Sequence, residues 1–316
     1  MMETNEIKQS VRKSFGEALL EAGKNCSQLV VISPEMGLSC RCDIFFSEFP
    51  NRYFNFGIAE QNAFTAAAGL ASCGKIPLVV SYANFACLRA GEQIRTDISY
   101  ANQNVKVVAL ATGLTFGTGG PTHQSYEDIT IMRTMPNFSV LVPADCQALK
   151  QAIYAAVEHD GPVYIRTGRD LEHKVYDGQN CSFEIGKANV LREGKDISIF
   201  ACGFMVYEAI QAATILEEYG IDASVIDLYS IKPIDREIIY RMADTSKAIF
   251  TVEEHFTSGG MGSAVLECLS CRPHPPVKFI GIEDKYPLSG PTFELREELG
   301  LSSKAIVREI LKFLGK

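Results

Sequence analysis

The sequence is short of the features that direct a chain to nucleic acid, membranes or metal. It has no block of Lys or Arg, and its 38 acidic residues outnumber 30 basic ones for a net charge of −8. That balance leaves no electrostatic footprint for nucleic acid. No apolar run reaches the ~20 residues a spanning helix needs. The stretch from Met1 to Arg12 is polar and lacks the apolar centre of a signal peptide, so a cytoplasmic protein is expected. No repeat is detectable between the two halves. Ten cysteines are present, but Cys73, Cys87, Cys146 and Cys202 sit in apolar or helical surroundings, where a reduced thiol packs as a small hydrophobe. Cys40-Arg41-Cys42 and Cys268-Leu269-Ser270-Cys271 each look like half a metal motif. Neither has a second pair at zinc-ribbon spacing, so no metal site is expected from these cysteines.

What is present is stock for two α/β domains. The 316 residues, 47% hydrophobic and 22% charged, suffice for two cores. Helical spacing over Lys8–Ala22 ends at Gly23, and Leu29–Ser33 reads as a buried strand. Further apolar runs at 77–82, 105–111, 139–142 and 163–166 alternate with helical stretches. Continuous apolar strands that alternate with helices mean a parallel sheet covered on both faces. The polar stretch Leu171–Phe183, with the turn cluster Asp177-Gly178-Gln179-Asn180, reads as the boundary, placing domains at 1–176 and 184–316. Beyond it the alternation restarts: strands at 197–201, 223–228, 248–253 and 277–282 are separated by helices, and two helices close the chain.

The organising stretch is Tyr53–Asn62. It begins as an aromatic strand, turns at Gly57 and enters a helix with Glu60 in its first turn. From Gln61 to Gly74 there is no charged residue, which predicts a helix buried on every side. Glu60 at its mouth must be paired, hydrogen-bonded or neutralised. As a plain helix-start acid it would only complement the dipole. In open α/β sheets, ligands sit beyond the carboxyl ends of strands. Glu60, Phe85, the glycine-rich loop 113–124 with His123, and Arg166 all fall at or just after predicted strand ends. Taken singly, Phe85 is also readable as a core aromatic and His123 as a surface imidazole. Arg166 ends an apolar strand and needs an anionic partner; Arg169 reads as a weaker, surface salt-bridge candidate.

Gly57-Ile58-Ala59-Glu60-Gln61-Asn62 after a strand resembles the signature of the pyrimidine-binding domain of thiamin-diphosphate enzymes. From about residue 8 onward the chain resembles the C-terminal half of transketolase. Gly120-Pro121-Thr122-His123-Gln124, Gly161-Pro162-Val163-Tyr164-Ile165-Arg166 and Ser230-Ile231-Lys232-Pro233-Ile234-Asp235 carry that resemblance. It implies a parallel-sheet pyrimidine-binding (thiamin-diphosphate-fold) domain, then a smaller mixed-sheet transketolase C-terminal domain. It implies thiamin diphosphate as cofactor, contacted by Glu60, Phe85 and Ile58, with Glu60 hydrogen-bonded to N1′ of the ring. It also implies His123 near the carbonyl end of the substrate and Arg166 on its phosphate.

The Gly-Asp-Gly…Asn motif that binds metal and diphosphate in this family is absent. Mg²⁺ and its ligands are therefore expected on a companion N-terminal subunit, in an α2β2 heterotetramer acting on sugar phosphates. Two departures bear on the substrate. Transketolases of ordinary sugar phosphates typically carry His where this chain has Ala111, and Glu-Asp where it has Thr118-Gly119; a non-standard donor or acceptor is expected. Two rivals remain open. One is a β-subunit-like half of a 2-oxoacid dehydrogenase or a deoxyxylulose-phosphate-synthase-like enzyme; the other is a non-catalytic scaffold.

Overall fold

A computed structural model describes residues 8–177 and 181–316. Residues 178–180, which include most of the expected turn cluster, and residues 1–7 lie outside the described residues. The strands in chain order are β1 (Lys8–Ser10), β2 (Leu29–Ser33), β3 (Tyr53–Asn55), β4 (Ile76–Tyr82), β5 (Lys106–Leu110), β6 (Ser139–Leu141) and β7 (Val163–Arg166). They continue with β8 (Leu171–His173), β9 (Asn189–Arg192), β10 (Ile197–Ala201), β11 (Ala223–Asp227), β12 (Ser230–Lys232), β13 (Ala248–Phe256) and β14 (Val277–Ile282). One sheet has seven strands in the order β12-β6-β7-β5-β4-β2-β3, and a second has five in the order β14-β13-β10-β11-β9. The expected two-domain α/β architecture is present. Strands β2, β4, β5 and β7 are buried throughout or nearly so, as the parallel, doubly covered sheet requires.

Four short strands escape the apolar-run reading. β12 leaves the second half of the chain and pairs antiparallel with β6, so the first sheet is closed by a strand from beyond the boundary. β9 edges the second sheet antiparallel to β11, and β1 pairs antiparallel with β8 inside the stretch read as a polar linker. The first helix therefore begins at Val11 rather than Lys8, where the Ser10 hydroxyl accepts from the Lys13 N–H at 3.4 Å. It runs on to Asn25, past the expected stop at Gly23. A Cβ at Gly23 would lie 2.5 Å from the Phe45 ring, so this glycine serves close packing and not termination.

The helix Glu60–Ser72 corrects a second expectation. Ala63, Phe64, Ala67 and Ala68 face the core, whereas Gln61, Asn62, Thr65 and Gly69 are exposed. That surface face is uncharged but polar, and it lies next to Ile58, an apolar side chain 80% exposed on this chain. Three of the four half-motif thiols behave as core: Cys40, Cys42 and Cys268 are buried and Cys271 is exposed, and burial pushes the Cys40 thiol up to about 12. No described helix is long and apolar enough to cross a membrane.

Candidate active site

The carboxyl ends of β2, β4, β5 and β7 open on one edge of the first sheet, and the residues that follow them build a lane there. After β3 the chain turns at Gly57 (φ +65), whose N–H donates to Asn55 Oδ1 at 2.8 Å. The helix then starts at Glu60 with no side chain capping it. The Glu60 side chain is only 4% exposed, and its Oε1 accepts from Arg89 Nη1 at 2.9 Å. Sequence reasoning requires a partner for this carboxylate but does not find Arg89.

Arg89 ends a π-helical turn, Phe85–Arg89, that follows β4. Turns of this type are rare and cluster at functional sites. Here it brings Arg89 back over Phe85, with the guanidinium carbon 4.4 Å from the ring centroid. Phe85 in turn meets His123 edge-on at 5.5 Å between centroids. His123 meets Phe116 at 5.4 Å. Glu60, Phe85 and His123 are thus brought into one continuous lane, with Arg89 between the first two.

His123 is held by its own loop. The Asn84 amide donates to the Thr122 carbonyl at 2.5 Å, and Thr122 Oγ1 pairs with His123 Nδ1 at 2.9 Å. The amide oxygen of Asn84 is buried without a partner among the described residues. Gln124 Nε2 bonds the Gly117 carbonyl at 3.1 Å. The second domain clasps the same loop from outside, with Gly290 N–H on the Gly117 carbonyl and Thr292 Oγ1 on the Leu114 carbonyl, both at 3.1 Å. A Cβ at Gly117 would lie 2.1 Å from the Gly290 carbonyl, which explains glycine there.

Arg166 is not in the lane. It is 5% exposed, and its Nε bonds both oxygens of the buried Asp128, at 3.1 and 2.9 Å. Its Nη2 bonds the Glu254 carbonyl at 2.9 Å. The anionic partner required for a buried arginine is therefore internal, and a substrate phosphate is not needed to satisfy it. Arg169, expected as a surface cation, is the one that reaches the site. Its guanidinium lies 4.2 Å from the Phe116 centroid, and its Nε donates to Tyr82 OH at 3.2 Å. The signal that could have found it is position, three residues past a strand end on the ligand edge. Among the described residues no group of three or more His, Cys, Asp or Glu is placed to hold a metal ion.

The lane fits a thiamin-type ring on an observation of its own. A planar, N–H-bearing group already spans the gap between Glu60 and the Phe85 face, namely the Arg89 guanidinium. A carboxylate acceptor at one end and a flat apolar face beside it are what an aminopyrimidine needs. Fold and lane together define an α/β half with a buried carboxylate and an aromatic face at its ligand edge, braced by a second α/β domain.

Residues 7–173 match the pyrimidine-binding domain of transketolase and residues 186–306 match the transketolase C-terminal domain. The chain belongs to the transketolase family. It is 38% identical over 305 residues to one of the subunits of the apulose-4-phosphate transketolase of Phocaeicola vulgatus, covering 96% of this chain and 97% of that one. It is equally 38% identical to a 1-deoxy-D-xylulose-5-phosphate synthase of Desulfotalea psychrophila, but spans only 47% of that protein. Among solved structures, a split gene transketolase in an inactive beta4 tetramer superposes with a TM-score of 0.87 at 41% identity, covering 96% of this chain and 97% of that one.

Proposed function

We propose that this chain is the C-terminal subunit of a split transketolase, which moves a two-carbon ketol unit from a ketose donor to an aldehyde acceptor. The observation that carries the reading is the buried Glu60 carboxylate, linked through Arg89 to the Phe85 ring at the ligand edge of the first sheet. Thiamin diphosphate, when bound, supplies the nucleophilic carbon. Glu60 would hold the ring by accepting a hydrogen bond from N1′ and sharing its proton, a task that needs an ionised acceptor and that Gln cannot perform. Phe85 offers a stacking face to the ring, and Ile58 lies on the open side of the turn before Glu60. His123, edge-on to Phe85, would meet the carbonyl end of the substrate. Arg169 is the cation in reach of an anionic tail.

Mg²⁺ requires oxygen ligands alongside the diphosphate, and these are assigned to the companion N-terminal subunit. The uncharged outer face of Glu60–Ser72 and the exposed Ile58 and Leu88 supply ground for that partner. An α2β2 assembly in the cytoplasm follows from this reading. The solved relative, an inactive tetramer of its beta chain, is consistent with a subunit that self-associates without turning over. A synthase-like half of the deoxyxylulose type is the rival that shares ancestry; it would use a 2-oxoacid donor.

The test is reconstitution. Purified chain with thiamin diphosphate and Mg²⁺ should not turn over a ketose donor, and activity should appear when the companion is added. Turnover by the chain alone would end the split reading. A preference of the complex for pyruvate over ketoses would transfer it to the rival.

A further inference from the structure

Arg89 touches both walls of the ring lane. Its Nη1 donates to Glu60 Oε1 at 2.9 Å, and its guanidinium carbon lies 4.4 Å from the Phe85 centroid. A guanidinium is planar, carries N–H donors and stacks on aromatic faces. Those are the properties by which an N1′-protonated aminopyrimidine would engage the same carboxylate and the same ring. The two ends of the contact differ in freedom. Glu60 is buried at a helix start, whereas Arg89 is 50% exposed at the end of its π-helical turn and can leave into solvent without unpacking the core.

We propose that Arg89 is a built-in occupant of the ring lane, standing in for the aminopyrimidine until the ring displaces it. The proposal rests on the reading of Glu60 and Phe85 as ring contacts. In the free chain the pair gives a buried carboxylate a partner, which an empty lane would not. The ring can enter only the fraction of molecules whose arginine has swung out, so apparent affinity falls by that fraction. A permanent structural partner of Glu60 would behave in the opposite way, because its loss would leave the carboxylate worse placed to receive the ring.

Ligand-detected NMR on the purified chain, titrated with thiamin diphosphate and with thiamin, separates the two. R89A should bind both probes roughly three- to thirty-fold more tightly than the unmodified chain, the sum of a half-exposed ion pair and a cation–π contact. R89K, which keeps the charge and loses the plane, should fall between them. The double variants E60Q/R89A and F85A/R89A should lose the gain. Equal or weaker binding by a folded R89A, or no detectable binding, overturns the proposal. The underlying reading is judged separately: if E60Q leaves turnover of the reconstituted complex unchanged, that reading has failed, whatever Arg89 does.

Discussion

The carboxylate of Glu254 accepts the backbone N–H of Leu114, 140 residues earlier, at 3.0 Å. It presses so closely on this loop that a Cβ on the neighbouring Gly113 would lie 2.1 Å from Oε2. Arg296 holds it there, with Nε at 2.6 Å from Glu254 Oε1 and the two Nη atoms at 3.0 and 2.8 Å from Glu172. All three side chains are buried. The second domain thus fixes the start of the loop that ends in His123.

Replacing Arg296 by Met should expose the cost of that arrangement. Two buried carboxylates would lose their cation, and breaking such a network costs about 3–5 kcal/mol. The expected outcome is a lower unfolding midpoint together with a reduced kcat in the reconstituted complex, as the loop loosens. An unchanged midpoint in a denaturation series would show that the triad contributes no net stability.

Glu60→Gln should keep the fold and lower kcat by roughly 10²–10⁴, the range for a positioned acid–base group. If Glu60 were only a helix-start acid, stability would drop by about 0.3–1 kcal/mol with near-normal turnover. Measuring kcat and melting temperature on the same variant decides.

Arg169 and Arg166 should separate cleanly. R169A is expected to raise KM for phosphorylated substrates by about 10- to 100-fold, the loss of one charge-assisted contact, with little change in melting temperature. R166M strands the fully buried Asp128 and should instead destabilise by about 3–5 kcal/mol. A KM effect confined to the Arg166 variant would return the phosphate to Arg166.

Asp227 supplies a pH signature. Burial pushes its carboxyl up to about 8. Its Oδ2 accepts from Tyr176 OH at 2.6 Å, while Oδ1 has no partner among the described residues. In the unfolded chain the same group titrates near ~3.9. The folded state therefore binds the proton more tightly, and the stability this group contributes is present below the unfolded value and lost as pH rises toward 8. Asp227→Asn should gain on the parent between pH 5 and 8.5, by ~2–4 °C for each kcal/mol relieved. A melting-temperature difference flat across that range would refute the assignment.

Legibility in the sequence follows the range of the interactions. Buried parallel strands announce themselves as apolar runs, because both faces are covered. β12 does not, since three residues pairing with a strand about 90 positions earlier leave no local pattern. Arg166 is legible as a buried cation, but its partner Asp128, 38 residues away, is not. Arg89 is invisible for another reason. The π-helical turn alters the face on which a residue emerges, so helical spacing cannot carry it to Glu60. The uncharged helix after Glu60 reads wrongly as buried on every side, because Gln61, Asn62 and Thr65 carry no charge yet are polar enough to face solvent.

The substrate is the point at which the fold helps least and the loop helps most. By the resemblance, Ala111 and Gly119 stand where sugar-phosphate transketolases typically carry His and Asp, and the space beside Gly119 is not left open. A Cβ at Gly119 would come within 2.9 Å of the Phe116 ring, which itself carries Arg169 on its face. An apolar wall beside a cation suits a donor or acceptor that keeps an anionic tail and lacks, or places elsewhere, the hydroxyl that Asp would read. A site built to read a hydroxyl discriminates by 10⁴–10⁵ or so, and one without that group gives up the grip. Ribose 5-phosphate with xylulose 5-phosphate should therefore not be the best pair in an acceptor and donor panel run with the reconstituted complex. Branched, deoxy or sulfonated sugars should exceed it in kcat/KM by about tenfold or more, one lost hydrogen bond. Gly119→Asp alone should not restore the ordinary pair, because Phe116 blocks the new side chain; Gly119→Asp with Phe116→Ala should raise it. If the ordinary pair is already the best, near the 10⁴–10⁸ M⁻¹s⁻¹ or so of good enzymes, the two substitutions are drift and the wall has no part in selection.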